Sequence, residues 1–235
     1  MTFNPPGMRC DSYNTHVSIR TADYLDAIEH LPDGATLVVQ QFGWDDYERL
    51  LEDLCNRPHL RVTYDGGRLE IMSPLPEHEE YASFIDALVR AVSEELHLTL
   101  ETRGRATWKR RRLARGVEPD ACYYAASAER IIGKRTIDLE SDPPPDIVVE
   151  IDITNESLSK FPIYAALSVP EIWRYDGRVM QFYALTHDAY RVISDSQFFP
   201  GLIPAMLADA LEQSKTAGQT AALAAFRQRA HRLER

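Results

Sequence analysis

The stretch "DIVVEID", residues 146–152, limits the fold more than any other part of the chain. Its β-branched run Ile147-Val148-Val149 reads as the most buried strand, yet Glu150 and Asp152 follow at once. A carboxylate taken out of water without a partner costs several kcal/mol, so this strand end must meet a cation or a set of donors.

The segments around it alternate between helix and strand signals. "TADYLDAI" and "WDDYERLLEDL" read as helices, the second with Tyr47, Leu50, Leu51 and Leu54 at spacings of three and four. "TLVVQQ" between them is a short strand. "RVTYDGGRLEIMSP" reads as a hairpin, because Asp65-Gly66-Gly67 tolerates the positive φ of a tight turn. In "PEHEEYASFIDALVRAVSEELHL", Pro76 marks a first helical position, and Tyr81, Phe84, Ile85, Leu88, Val89, Val92 and Leu96 make one apolar face. Strands are expected at "TLETR", "ATWK", "PDACYY", "DIVVEID", "EIWRYD" and "VMQFYAL", with a short helix at "LSKFPIYAAL" and helices in the alanine-rich tail. This order predicts an α/β (α+β) protein, a mixed central sheet flanked by helices. The expected division is an irregular leader at 1–20, one domain at 21–200 and a helical C-terminal extension at 201–235.

At 235 residues, with 44% hydrophobic and 26% charged residues, the chain suits one main globular domain. No stretch reaches the roughly 18 apolar residues of a membrane span and the N-terminus has no apolar signal core, so no membrane partner is expected and a cytoplasmic location is. Cys10, Cys55 and Cys122 are an odd, widely spaced set with no C-x-x-C pair, which suggests neither a disulfide framework nor a zinc site and leaves packing as their expected role. A net charge of −10 argues against coating nucleic acid by global attraction. Seven of the basic residues nonetheless fall between Arg103 and Arg115, with no acid among them.

Several acids stand at strand ends beside apolar runs: Glu70, Asp120, Glu150 and Asp152, with Lys160 ten residues after Glu150. If the Asp120 and Glu150 strands are neighbours, their carboxylates converge. Such a pair suits a hard divalent cation, for Mg²⁺ takes one or two carboxylates and leaves other positions to water and phosphate. The competing expectation is a structural ion pair, in which Lys160 and backbone N–H groups satisfy both acids. Asp152 shares a strand face with Glu150 and is either a third ligand or an outer acid. His78, at the start of the long helix, is either a helix-end residue or a contact to water or phosphate. Tyr164 and Trp173 are expected in the core.

"GRLEIMSPLPEHEEY", "EPDACYY", "DIVVEIDITNESLSKFPIYAALSVPEIWRYDG" and "VMQFYAL" together resemble the Uma-two family of restriction endonuclease-like proteins, a branch of the PD-(D/E)XK nuclease superfamily, from about Leu37 to Pro200. The resemblance implies a restriction-endonuclease-like core with Asp120 and Glu150 as ligands of Mg²⁺ (or Mn²⁺). Glu70 completes the acidic cluster. The superfamily lysine two residues after the second acid is replaced here by Asp152; the resemblance puts Lys160, from the next helix, in its place.

The leading expectation is therefore a Mg²⁺-dependent phosphodiesterase acting on DNA through metal-activated water, with Glu70, Asp120, Glu150 and Lys160 in catalytic positions and His78 and Asp152 behind them. Lys109, Arg110, Arg111 and Arg112 are expected either to contact the phosphate backbone or to keep a loop solvated. A homodimer is compatible, because two symmetric sites organise two-strand cleavage. Asp152 at the lysine position keeps open a non-cleaving nucleic-acid-binding module, and the C-terminal helices a protein-interaction module.

Overall fold

The computed structural model describes residues 21–54, 59–153 and 160–233; the expected leader lies outside them. Helix α1 (Thr21–Glu29) leads to β1 (Thr36–Val39), α2 (Trp44–Asp53) and the hairpin of β2 (Arg61–Asp65) and β3 (Arg68–Met72). Both turn glycines, Gly66 and Gly67, have positive φ, as a two-residue hairpin turn requires. The 20-residue helix α3 (Pro76–Glu95) follows, with Pro76 in its first turn. Next come β4 (Glu101–Thr102), β5 (Trp108–Arg110), β6 (Arg115–Val117), β7 (Ala121–Tyr124) and β8 (Ile147–Ile151). After α4 (Phe161–Leu167), strands β9 (Glu171–Tyr175), β10 (Met180–Thr186) and β11 (Ala189–Ile193) precede α5 (Pro204–Ala217) and α6 (Gln219–Ala230).

The strands divide into two sheets where the local patterns suggest one. A five-stranded antiparallel sheet runs β1-β3-β2-β6-β5, and a six-stranded sheet runs β11-β10-β9-β8-β7-β4. Local alternation sets which residues face a core, but pairing between distant strands carries no local signal. In the six-stranded sheet β8 and β9 are parallel, and α4 makes the crossover between them that a parallel pair demands.

Each face of the six-stranded sheet has its own core. Ile147, Val149 and Ile151 face α3, α5 and α6, while Val148 and Ile172 pack with Cys122, Tyr124, Ile163 and Tyr164 towards α4. A third cluster seats α1 and α2 on the five-stranded sheet. There the Tyr47 hydroxyl lies so close to Gly116 of β6 that a Cβ at that position would overlap it. The strand carrying the acids is therefore covered on both sides, and its end is the place where buried charge has to be satisfied.

Candidate active site

Strands β7 and β8 are antiparallel neighbours, with Ala121 opposite Val149. One step further along this register Asp120 stands opposite Glu150, and the Asp120 N–H donates to the Val149 carbonyl at 3.0 Å. Side chains alternate along a strand, so both carboxylates leave the sheet on the α4 face, with Val148 and Cys122. Both are almost completely buried, Asp120 at 4% exposure and Glu150 at 3%.

Every carboxylate oxygen of the pair accepts a hydrogen bond. The Ile151 amide donates to Asp120 Oδ2 at 2.8 Å, and the Arg61 Nε to Oδ1 at 3.2 Å. Lys160 Nζ donates to Glu150 Oε2 at 2.6 Å, and the Tyr164 hydroxyl donates to Oε1. Lys160 directly precedes α4, and Tyr164 follows one turn later, so a single helix start brings both donors to Glu150. Burial pushes the Glu150 carboxyl up to about 7; the Lys160 ammonium opposes the shift while Asp120 and Asp152 add to it. Burial also pulls on Lys160, but the Glu150, Asp120 and Asp152 carboxylates outweigh it and hold its pKa above the ordinary lysine value.

Three further groups converge from other elements. Arg61, at the start of β2, is 2% exposed and spans Asp120 and Glu79, the latter at 2.6 Å. Glu118, two residues before Asp120, accepts from the Val62 amide at 2.9 Å and from the Thr107 hydroxyl at 2.5 Å, tying the approach to β7 onto the other sheet. Burial raises its pKa, against those two donors and the charges of Arg61 and Lys160. His78, in the first turn of α3, is buried with no hydrogen-bond partner for either ring nitrogen. Burial lowers its pKa; the Asp120 and Asp152 charges oppose this and Arg61 and Lys160 reinforce it.

Paired acids at adjoining strand ends, and a lysine that directly precedes the next helix, stand on a mixed α+β scaffold. Residues 44–213, well over half of the chain, match the Uma2 family, described as "putative restriction endonuclease". The chain belongs to the Uma2 family. No curated protein matches it. Membership supports a nuclease role, and the mixed two-sheet architecture with its C-terminal helices agrees with the fold of that class. No helix among the described residues is long and apolar enough to cross a membrane.

Restriction-endonuclease-like nucleases generally use divalent metals, so the donor set of this Uma2 chain bears on function. Among the described residues no three His, Cys, Asp or Glu side chains come together as a metal site. The set on offer is the pair Asp120 and Glu150, two hard oxygen ligands, which fits Mg²⁺ or Mn²⁺ better than softer metals. Each oxygen retains a second lone pair beyond the bond it now accepts.

The remaining residues that the sequence singled out take separate places. Asp152 lies just past β8, ion-paired with Arg174 of β9 at 2.6 Å. Glu70 is buried on β3, in the other sheet, with Arg68 Nη2 at 3.5 Å. The basic run is engaged inside the molecule. Lys109 and Arg111 bind Glu48 at 2.8 and 2.5 Å, Arg111 also reaches Asp45, Arg112 pairs with Glu140 at 3.2 Å, and Arg110 donates to the Leu139 carbonyl at 2.6 Å. Together they tie β5 and the turn after it to α2 and to residues 139–140. Arg61 and Tyr164 are the site residues that the sequence did not single out for chemistry: a lone arginine opening a hairpin strand carries no motif, and Tyr164, one turn after Lys160, reads as core until its hydroxyl is seen to donate to Glu150.

Proposed function

We propose that this protein is a metal-dependent endonuclease that hydrolyses phosphodiester bonds in DNA, with Asp120 and Glu150 as the cation-holding carboxylates and Lys160 as the cationic group beside the reacting phosphate. The observation that carries the reading is the opposed pair of buried carboxylates across β7 and β8, one of them bonded to the lysine that precedes α4. A bound Mg²⁺ or Mn²⁺ would polarise a phosphoryl oxygen and lower the pKa of a water. The chain's own residues do the rest. The Ile151 amide and Arg61 fix the Asp120 carboxylate, and Tyr164 fixes Glu150, so both ligands are oriented in advance. Lys160, anchored at 2.6 Å on Glu150, presents its remaining N–H donors to charge developing on the phosphate. Asp152 holds Arg174 at the rim. Glu70 and the basic run act on this reading through the scaffold, and two-strand cleavage would call for two copies of the site.

A second reading, a non-cleaving DNA-binding module on the same fold, is favoured by one observation: all four oxygens of the acid pair already accept bonds from protein donors. Calorimetry with Mn²⁺ separates the two. Saturable binding that disappears in Asp120→Asn supports the enzyme, and no heat of binding in the folded wild type supports the module.

A further inference from the structure

Glu79, in the first turn of α3, is bound by two guanidiniums from separate elements. Arg61 Nη2 reaches its Oε1 at 2.6 Å from the buried side, and Arg105, from the segment after β4, grips it with Nη1 at 2.7 Å and Nη2 at 2.5 Å from the exposed side. One carboxylate between two arginines has the charge and fork geometry of a phosphate oxygen pair held by two arginines, the arrangement in which guanidinium recognition is strongest. Arg61 extends the cluster to Asp120 at 3.2 Å, so whatever takes the place of Glu79 lies next to the proposed cation ligand. His78, the residue before Glu79, adds two buried ring nitrogens with no hydrogen-bond partner.

We propose that Arg61 and Arg105 form a seat for a backbone phosphate of DNA, with the Glu79 carboxylate as an internal stand-in that the phosphate displaces. This rests on the nuclease reading for the identity of the anion. An arriving phosphate meets Arg105 first, swings Glu79 towards solvent and then reaches Arg61. The seat therefore selects for a polyanionic chain, one negative charge per phosphodiester, and disfavours an isolated weak anion, which cannot offset the loss of Glu79.

The test is binding of a labelled DNA duplex to the full chain in EDTA, followed by fluorescence anisotropy across a salt series, with the thermal midpoint of each variant recorded. Arg105→Ala should bind more weakly, with a salt slope shallower by about 0.9, one phosphate contact. Glu79→Gln should bind roughly tenfold tighter, the scale of one released charge-assisted hydrogen bond. Glu212→Gln, which removes a carboxylate paired with Lys215 on α5, controls for net charge and should change little. Purely structural ion pairs would lower the thermal midpoint and leave the slope alone. The seat is overturned if Glu79→Gln behaves as Glu212→Gln does, or if Arg105→Ala keeps the wild-type slope. Nicking of supercoiled DNA by the wild type in Mn²⁺ is scored separately. Nicking with unchanged variant binding removes the seat and leaves the nuclease reading standing, and a wild type that neither binds nor nicks removes both.

Discussion

Replacing Lys160 by Met removes the only cation bonded to Glu150 among the described residues and keeps the volume of the side-chain stem. Glu150 already has its carboxyl pushed from an ordinary 4.5 to about 7 with the ammonium 2.6 Å away. Because the folded value is raised, the native state holds the proton more tightly than the unfolded chain. Stability from this group is complete below pH 4.5 and is lost as pH rises to about 7, by roughly 1.4 kcal/mol per pH unit. Above pH 7 the wild-type curve is flat in this group. Without Lys160 the folded pKa climbs further, and the loss continues. At pH 6 the two proteins should therefore be alike, or the variant slightly the more stable, since the wild type there buries an ammonium beside a neutral carboxyl. By pH 8 the variant should have fallen behind by about 1.4 kcal/mol more than at pH 7. Urea unfolding in EDTA at pH 6, 7 and 8 measures the difference directly. A gap between wild type and variant that does not change with pH would refute the claim that Lys160 holds a buried, proton-seeking Glu150.

Two other perturbations follow from the scaffold. Gly116→Ala forces a methyl group into the Tyr47 hydroxyl between α2 and β6, and should cost roughly 2–4 kcal/mol in chemical denaturation, with Tyr47→Phe restoring part of it. Changing Lys109, Arg110, Arg111 and Arg112 together to Ser breaks the ties to Glu48, Asp45, Glu140 and the Leu139 carbonyl, so the melting temperature should drop while the salt slope of DNA binding moves by less than about 0.9. A slope shallower by 2 to 3, about three phosphate contacts, would return the run to the DNA interface.

The parts of this fold that were legible in the sequence are those whose signal is local. The β2–β3 hairpin shows in Asp65-Gly66-Gly67, the long helix α3 in its apolar face, and the buried strand β8 in its β-branched run. The acid pair was legible because two carboxylates in apolar strand contexts are costly anywhere else. Strand β6 was hidden at the end of the basic run as three residues, Arg-Gly-Val, and β11 has exposed positions where alternation would be sought. The split into two sheets depends on β2 pairing with β6, a contact across some fifty residues that no local pattern reports. The same is true of charge. Arg103 to Arg115 contains no acid in sequence, yet its acids arrive from α2 and from Glu140, and Asp120 finds Arg61 from a strand 59 residues earlier. Sequence shows where charge is concentrated; the fold decides how much of it is left for a partner.

The central claim is that Asp120 and Glu150 hold a divalent cation with which DNA is cut, and nicking of supercoiled plasmid tests it most directly. Conversion to open circle by the wild type is expected in Mg²⁺ or Mn²⁺, arrested by EDTA and absent in Glu150→Gln and Asp120→Asn under conditions where both variants are folded. No conversion by folded wild type with either ion, or equal conversion by either variant, would contradict it.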